Sequence, residues 1–473
     1  MYQIVLEIQP KLKALFLVSL FGLISISCSV PDFSHIDAGD MQQQISGEPL
    51  LRVHAFPFYD DEKQEFFVRV RAFVLHNSLI YTKKDGRSAA AFELDGTVYT
   101  QQEEEAPRQF STSDSVYYVN NKEIEAGFES IYVFSIPASQ GAHTISVRLT
   151  DKTSGISKEL TEEIYLPQTK TNAGILWSEL ATSDGGNSKE RQVFSSYVIP
   201  DNVDPLTARF QVITQKPTSV SVELLRFRSD SSIARPPQYN TPSKGSLIYK
   251  GIDYTQADTL LAKKFRISPD SSSVMEISLP SISIHGNYRL SLELMEPEVR
   301  ENKQSRDFSI RNQRYPNIRS LDEMVKALRY IAYPDEYSML RSKTPDSLLH
   351  DAFDGFWIDL YGNKQKAQNM LSTYVSRLEE ANQLFPSYKE GWKTDMGMIY
   401  VLFGRPILTE NRIDGVVWAY ERYQYEPNRV FYFERVRNPY SFFPFTHYIL
   451  QRDGIYQQVY IEQRGKWRNG NLN

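Results

Sequence analysis

The stretch Val68-Arg69-Val70-Arg71-Ala72-Phe73-Val74 decides the class of the N-terminal half. Its aliphatic residues fall on every second position, the period of a strand with one face on a core and the other toward solvent. Ile145, Val147 and Leu149 repeat the pattern against Ser146, Arg148 and Thr150. Turn signals at Asp85-Gly86, Asp95-Gly96 and Gln140-Gly141 punctuate the surrounding sequence at the short spacing of stacked antiparallel sheets. Residues 49–167 are therefore expected to form an all-β sandwich.

The same grammar restarts further on. Pro167 and the polar run Gln168 to Asn172 mark a boundary, after which Val220, Val222 and Leu224, and then Tyr288, Leu290, Leu292 and Leu294, alternate again. This predicts a second sandwich over residues 173–311, both of immunoglobulin-like architecture, with no sequence repeat between them. Its middle, Ser229 to Ser246, is dense in Ser, Pro and Asp and reads as a long exposed loop.

After Arg311 the period changes to that of a helix. Ser320 and Glu323 have capping-box spacing, and Leu321, Met324, Val325, Leu328 and Ile331 form one apolar stripe that Pro334 stops. Thr344-Pro345 opens a second helix carrying Leu349, Phe353, Phe356 and Trp357. A third runs from about Asn363 to Phe385. Four strands are then expected, at Ile399–Phe403, Val416–Tyr420, Val430–Phe433 and Gln457–Ile461, so that residues 316–473 make an α+β domain.

Between the third helix and those strands stands Gly391-Trp392-Lys393-Thr394-Asp395-Met396-Gly397-Met398, leading through an apolar run into Gly404-Arg405-Pro406. This closely resembles the signature of the GWxTD domain family, spelled by Gly391, Trp392, Thr394 and Asp395 and continued by Gly397, Gly404 and Pro406. The upstream helices, with Phe356-Trp357 and Glu379-Glu380-Ala381-Asn382, are similar to the family as well. The resemblance implies an exported bacterial envelope protein with a β-rich N-terminal region and implies no particular activity. Where members of the family carry Arg, this chain has Met396 and Met398, which argues against a shared anion site.

Two readings of the motif stand side by side. In the structural one, Gly391 frees the backbone after a helix, Trp392 plugs a gap between helix and sheet, and Thr394 or Asp395 accepts backbone N–H bonds in a tight turn, with Gly404 and Pro406 turning the chain. In the other, Trp392 and Asp395 line a groove that grips a peptide or a sugar.

Composition narrows the function. Of 473 residues, Lys and Arg number 53 and Asp and Glu 58, and no segment concentrates the positive charge that would track a phosphate backbone, so no nucleic-acid partner is expected. Seven histidines are scattered without a two-histidine helical metal motif, so neither a metal nor a cofactor is expected. There is no Gly-x-Ser-x-Gly elbow and no phosphate-cradling glycine loop. Glu103 to Glu105 reads as a loop, and His350 with Asp354 as a solvated helix face. The rings from Trp418 to Phe445 are dense enough to fill the terminal sheet, although Asn438 to Phe445, with two prolines, is not a regular strand.

The single cysteine supplies an address. Lys11 and Lys13 precede an apolar run from Ala14 to Ile26, shorter than the roughly 20 residues that span a bilayer. It ends in Ser25-Ile26-Ser27-Cys28, which resembles a bacterial lipobox. Residues 1–27 are then a lipoprotein signal peptide, Cys28 the lipidation site and residues 28–48 a polar tether. The expectation is a membrane-anchored envelope lipoprotein, leaning to the outer membrane because Ser29 is not a retention aspartate. It would act as a non-catalytic binding or assembly component with an envelope protein partner, the alternatives being a carbohydrate- or peptide-binding surface lipoprotein and, third, an unrecognised hydrolase.

Overall fold

The computed structural model describes residues 49–472, apart from positions 85, 101–105, 120–128, 167–173, 183–191, 195, 215, 240–250, 269–272, 296–302, 319, 345, 413–414, 421–428 and 437–446. Cys28, the signal segment, the tether, Glu103 to Glu105, the Pro167 boundary and the ring-rich Asn438–Phe445 stretch lie outside the described residues.

The first β-rich unit comprises β1 (Leu51–Asp60), β2 (Glu65–Leu75), β3 (Thr82–Lys84), β4 (Arg87–Thr100), β5 (Arg108–Tyr118), β6 (Glu129–Pro137), β7 (Gly141–Asp151) and β8 (Ser157–Leu166). Strands β1, β2 and β6 form one sheet; β3, β4, β7 and β8, with β5 paired to β4, form the facing one. Every pairing is antiparallel, and the alternation read in the sequence is what closes the core: Val68, Val70, Ala72 and Val74 meet Ile145, Val147 and Leu149, all fully buried. Gly86, with positive φ, turns β3 into β4 as expected. Asp95-Gly96 is not a turn. It lies inside β4, where a Cβ on Gly96 would sit 2.0 Å from the Phe110 ring of β5, so this glycine makes room for a ring rather than a bend.

The second unit comprises β9 (Gly174–Thr182), β10 (Val193–Phe194), β11 (Val198–Pro200), β12 (Leu206–Ile213), β13 (Thr218–Ser229), β14 (Ile252–Ile267), β15 (Ser273–Ser278), β16 (Gly286–Leu294) and β17 (Lys303–Arg311). Its sheets run β10-β9-β12-β15 and β11-β17-β16-β13-β14. Val220, Val222 and Leu224 of β13 and Tyr288, Leu290 and Leu292 of β16 are the buried centre of this sandwich. The two sandwiches are joined by polar bonds at one seam. The Gln211 side chain accepts from the Tyr59 amide and donates to the Tyr59 carbonyl, and buried Glu179 pairs with Arg71 of the first unit and Arg209 of the second.

The third unit is α+β. Its helices are α1 (Leu321–Ala327), α2 (Pro334–Arg341), α3 (Asp346–Tyr361), α4 (Lys364–Leu384), α5 (Asp395–Phe403) and α6 (Tyr456–Asn469). They pack with an antiparallel sheet of β18 (Leu408–Asn411), β19 (Gly415–Ala419), β20 (Val430–Arg435) and β21 (Tyr448–Leu450). Among the described residues no helix is long and apolar enough to cross a membrane.

Four expectations for this unit are corrected. Ile399–Phe403 is not a strand but the end of α5, a helix whose residues from Asp395 to Leu402 are all buried. An apolar run without polar gaps carries no period, so burial on every side hides the helix. Gln457–Ile461 is also helical. Tyr456, Val459, Tyr460, Gln463 and Trp467 are its buried residues, and their three-, four- and seven-residue spacings show only when the run is followed past Ile461. The Ser320 side chain makes no capping bond, whereas Glu336 accepts from the Tyr333 amide at 2.7 Å. Pro334 accordingly does more than stop a helix: it is the first residue of α2, where its missing N–H has nothing to lose.

Candidate functional site

The motif is built from two close backbone approaches. A Cβ on Gly391 would stand 2.0 Å from the Ala381 carbonyl oxygen at the end of α4, and one on Gly397 would stand 1.9 Å from the carbonyl oxygen of Gly391 itself. Both glycines are required by contact, not by an unusual φ, which replaces the expectation that Gly391 merely frees the chain. The backbone is thus pressed between α4 and α5. Thr394 then serves both sides of the junction: its hydroxyl donates to Gly391 O at 2.7 Å and accepts from Gly397 N at 3.0 Å, making it the N-cap of α5. At the other end Gly404, at φ +78°, closes the helix by donating to Tyr400 O. Its own carbonyl accepts from Tyr420 Oη, and Pro406 follows at the turn toward β18.

Trp392 is completely buried. Its amide donates to Asn382 Oδ1 at 3.3 Å, its carbonyl accepts from Tyr330 Oη at 2.7 Å, and the Tyr330 ring meets the indole edge-on. Lys393 stands with its ammonium 5.3 Å from the indole centre and 2.7 Å from Glu390. Asp395 is 2% exposed, with Oδ2 accepting from the Leu450 amide at 3.0 Å and Oδ1 paired with the Arg452 guanidinium. An open groove lined by Trp392 and Asp395 is therefore not what the chain forms. Both side chains are inside, and the structural reading describes their surroundings.

The motif nevertheless has an outward task. Arg452, held by Asp395, donates with its other nitrogen to the carbonyls of Arg235 and Pro236, at 2.7 and 2.9 Å. The Ala234 amide donates to Lys393 O at 3.0 Å, and Lys389 Nζ donates to Ser232 O at 2.8 Å and lies 3.5 Å from Asp230. Ala234 is fully buried within the core of the third unit, with Ile233 packed on it. Residues 230–236 thus form a strap from the second sandwich seated on the motif. This corrects the expectation of a long exposed loop for Ser229 to Ser246, at least for the described part: its polar backbone is satisfied by the neighbouring unit instead of by water. Residues 240–250 of that segment lie outside the described residues.

Beside the strap, Tyr388 packs on Gly251, and its carbonyl accepts from Asn287 and Arg311, both at 2.9 Å. Burial raises the Glu390 carboxyl, but Arg311 and Lys393 outweigh it and hold the group down at about 2. Burial lowers the Lys389 ammonium below its ordinary value, opposed by Asp230. Of the residues at this junction, Asn382 was quoted in the sequence only as part of a resemblance. Arg452, Lys389, Tyr388 and the strap were missed, and no spacing signal announces them, because Asp395 and Arg452 are brought together only by β21 lying against α5.

Other candidates stay apart from this centre. His350 and Asp354 are 3.6 Å apart on α3, both exposed. Trp418, Phe431 and Phe433 are buried in the terminal sheet, whereas Tyr432 is on its exposed face. Among the described residues no three His, Cys, Asp or Glu side chains are grouped to hold a metal ion.

No curated protein matches this chain. Among solved structures, a Salmonella alpha-2-macroglobulin reacted with methylamine is 15% identical at TM-score 0.19, over 57% of this chain and 17% of that one. The native form of Escherichia coli alpha-2-macroglobulin is 12% identical at TM-score 0.19, over 55% and 16%. The C-terminal domain of the Streptococcus agalactiae AgI/II polypeptide BspA is 9% identical at TM-score 0.16, over 55% of this chain and all of that domain. This chain thus spans about a sixth of the length of the macroglobulins. Residues 294–469, which hold the motif, the four helices before it and the sheet and helix after it, match the family model of the GWxTD domain, so this part of the chain is a GWxTD domain.

Proposed function

We propose that this protein is an exported, non-catalytic component of a cell-envelope complex, in which two β-sandwiches present a GWxTD domain to a protein partner. The observation that carries the reading is the way the motif's polar groups are used. Asp395, Arg452 and Lys389 are all buried and directed to backbone or to one another, so they join units together instead of facing a substrate. A buried ion pair is expensive to desolvate, and its attested use is to specify one arrangement over others. A fixed arrangement of three units suits a scaffold. The lipobox-like segment ending at Cys28 supports placing it on a membrane, with two or more acyl chains needed for stable attachment.

Crosslinking followed by purification from native envelopes tests the reading: a partner protein should be recovered in constant ratio, and recovery of the chain always alone would overturn it. Cys28→Ala should release the protein from membranes; continued tight association would mean that the anchor is something else. The second reading, a carbohydrate- or peptide-binding surface protein, is favoured by one observation, the backbone-directed contacts of the motif with the strap.

A further inference from the structure

The strap is held in the manner of a bound peptide. Residues 231–236 belong to no helix or sheet, yet their main chain is gripped at Ser232 O by Lys389, at Ala234 N by Lys393 O, and at Arg235 O and Pro236 O by Arg452. One side chain, Ala234, is sunk completely into the apolar core, while those of Ser231 and Arg235 are exposed. Contacts of this kind read an extended backbone with a small residue at one position and tolerate variety elsewhere, which is how peptide-binding clefts combine affinity with limited specificity. The receiving groups are set in advance of the strap. Arg452 is fixed by Asp395, Asp395 by the Leu450 amide, and Lys393 O by the turn that Thr394 caps. A pre-set guanidinium loses little freedom on donating to two carbonyls.

We propose that the socket made by Lys389, Lys393 and Arg452 is a peptide-binding site, occupied in this chain by its own strap and able to take in its place an extended partner segment with an alanine-sized residue followed by x-Pro. The inference rests on the reading of the protein as a partner-binding component and names where the partner engages. A tethered occupant acts at a high effective concentration, of order millimolar for a short connection, so an intact strap masks the socket. Displacement of the strap would leave the second sandwich held to the motif region by the Tyr388 contacts with Gly251, Asn287 and Arg311 and by the Arg311–Glu390 pair, so partner capture would loosen the junction of the two units without parting them.

The test uses the full chain and a fluorescein-labelled synthetic peptide of residues 230–238. Ala234→Trp places an indole where no space exists and drives out the strap. Fluorescence anisotropy should then report peptide binding at least tenfold tighter than to the wild-type chain. Adding Arg452→Gln to that variant should remove most of the gain, and a peptide carrying Ala234→Trp should not bind. A cooperatively folded Ala234→Trp chain that binds no better than wild type would overturn the proposal. If that variant does not fold, hydrogen exchange of the wild-type Ala234 amide decides. Exchange faster than the buried amides of α5 supports a strap that opens by itself, and protection equal to theirs makes it a permanent part of the core and refutes an exchangeable site. Peptide binding is measured on purified protein, so its failure would leave the envelope crosslinking result standing independently.

Discussion

Asp395→Asn isolates the charge at the centre of the motif. The amide keeps an oxygen that can accept from the Leu450 N–H, so the change removes the carboxylate charge and leaves Arg452, 2% exposed at its side chain, buried opposite a neutral group. Taking away one partner of a buried pair costs about 3–5 kcal/mol, because the remaining ion keeps its desolvation penalty and loses its compensation. For a folding unit of about 150–250 residues each kcal/mol lowers the melting temperature by about 2–4 °C, so the transition of this unit should fall by about 6–20 °C. Urea and thermal unfolding followed by tryptophan fluorescence measure it, since four of the five tryptophans, Trp357, Trp392, Trp418 and Trp467, lie in the core of this unit. Arg452→Met should cost a similar amount and also take from the strap carbonyls of Arg235 and Pro236 their guanidinium donor. The double variant Asp395→Leu/Arg452→Met should lose clearly less than the sum, because neither ion is then left alone. A loss below about 1 kcal/mol for Asp395→Asn would refute the view that the pair is buried and mutually dependent.

Three further outcomes are expected. Gly397→Ala forces a Cβ to within 1.9 Å of the Gly391 carbonyl oxygen, a backbone atom that cannot step aside, so soluble folded protein should be lost or destabilised by more than the about 1–3 kcal/mol usual for overpacking; near-wild-type melting would contradict the contact. Trp392→Ala empties a fully buried indole site and should cost about 3–5 kcal/mol in chemical denaturation, whereas an unchanged midpoint would reopen a surface role for the ring. Glu390 is held at about 2 in the folded chain against an ordinary 4.5. Its contribution, about 3 kcal/mol from that difference, is therefore complete above pH 4.5 and lost as the pH falls from there toward 2. Acid denaturation of Glu390→Gln should show a correspondingly shallower limb over that window, and identical limbs would remove Arg311 and Lys393 as its partners.

Much of the architecture was legible because period and burial coincide. Val68 to Val74 and Ile145 to Leu149 alternate in the sequence and lie face to face in the first core, and Val220 to Leu224 with Tyr288 to Leu294 do the same in the second. Helices α3 and α4 were readable from their stripes; Asn363, at the expected start of α4, caps it by accepting from the Lys366 amide. Legibility ended where burial is complete. The run from Met396 to Leu402 is apolar and buried on all sides and gives strand and helix the same pattern, and Gly96 looks like a turn because a sequence cannot show the Phe110 ring that presses on it.

The motif itself divides along the same line. Its identity as a GWxTD signature follows from residues adjacent in the chain, and so does the expectation that Thr394 or Asp395 accepts a backbone N–H, since the bond that Thr394 makes to the Gly397 amide spans only three positions. What Asp395 does depends on Arg452, and what Arg452 does depends on the carbonyls of Arg235 and Pro236 in another unit. Local order is written in neighbouring residues because its hydrogen bonds close over a single turn. The partnership of a carboxylate, a guanidinium and a distant strap exists only after the three units have packed, because burial is what makes each of those groups need the others.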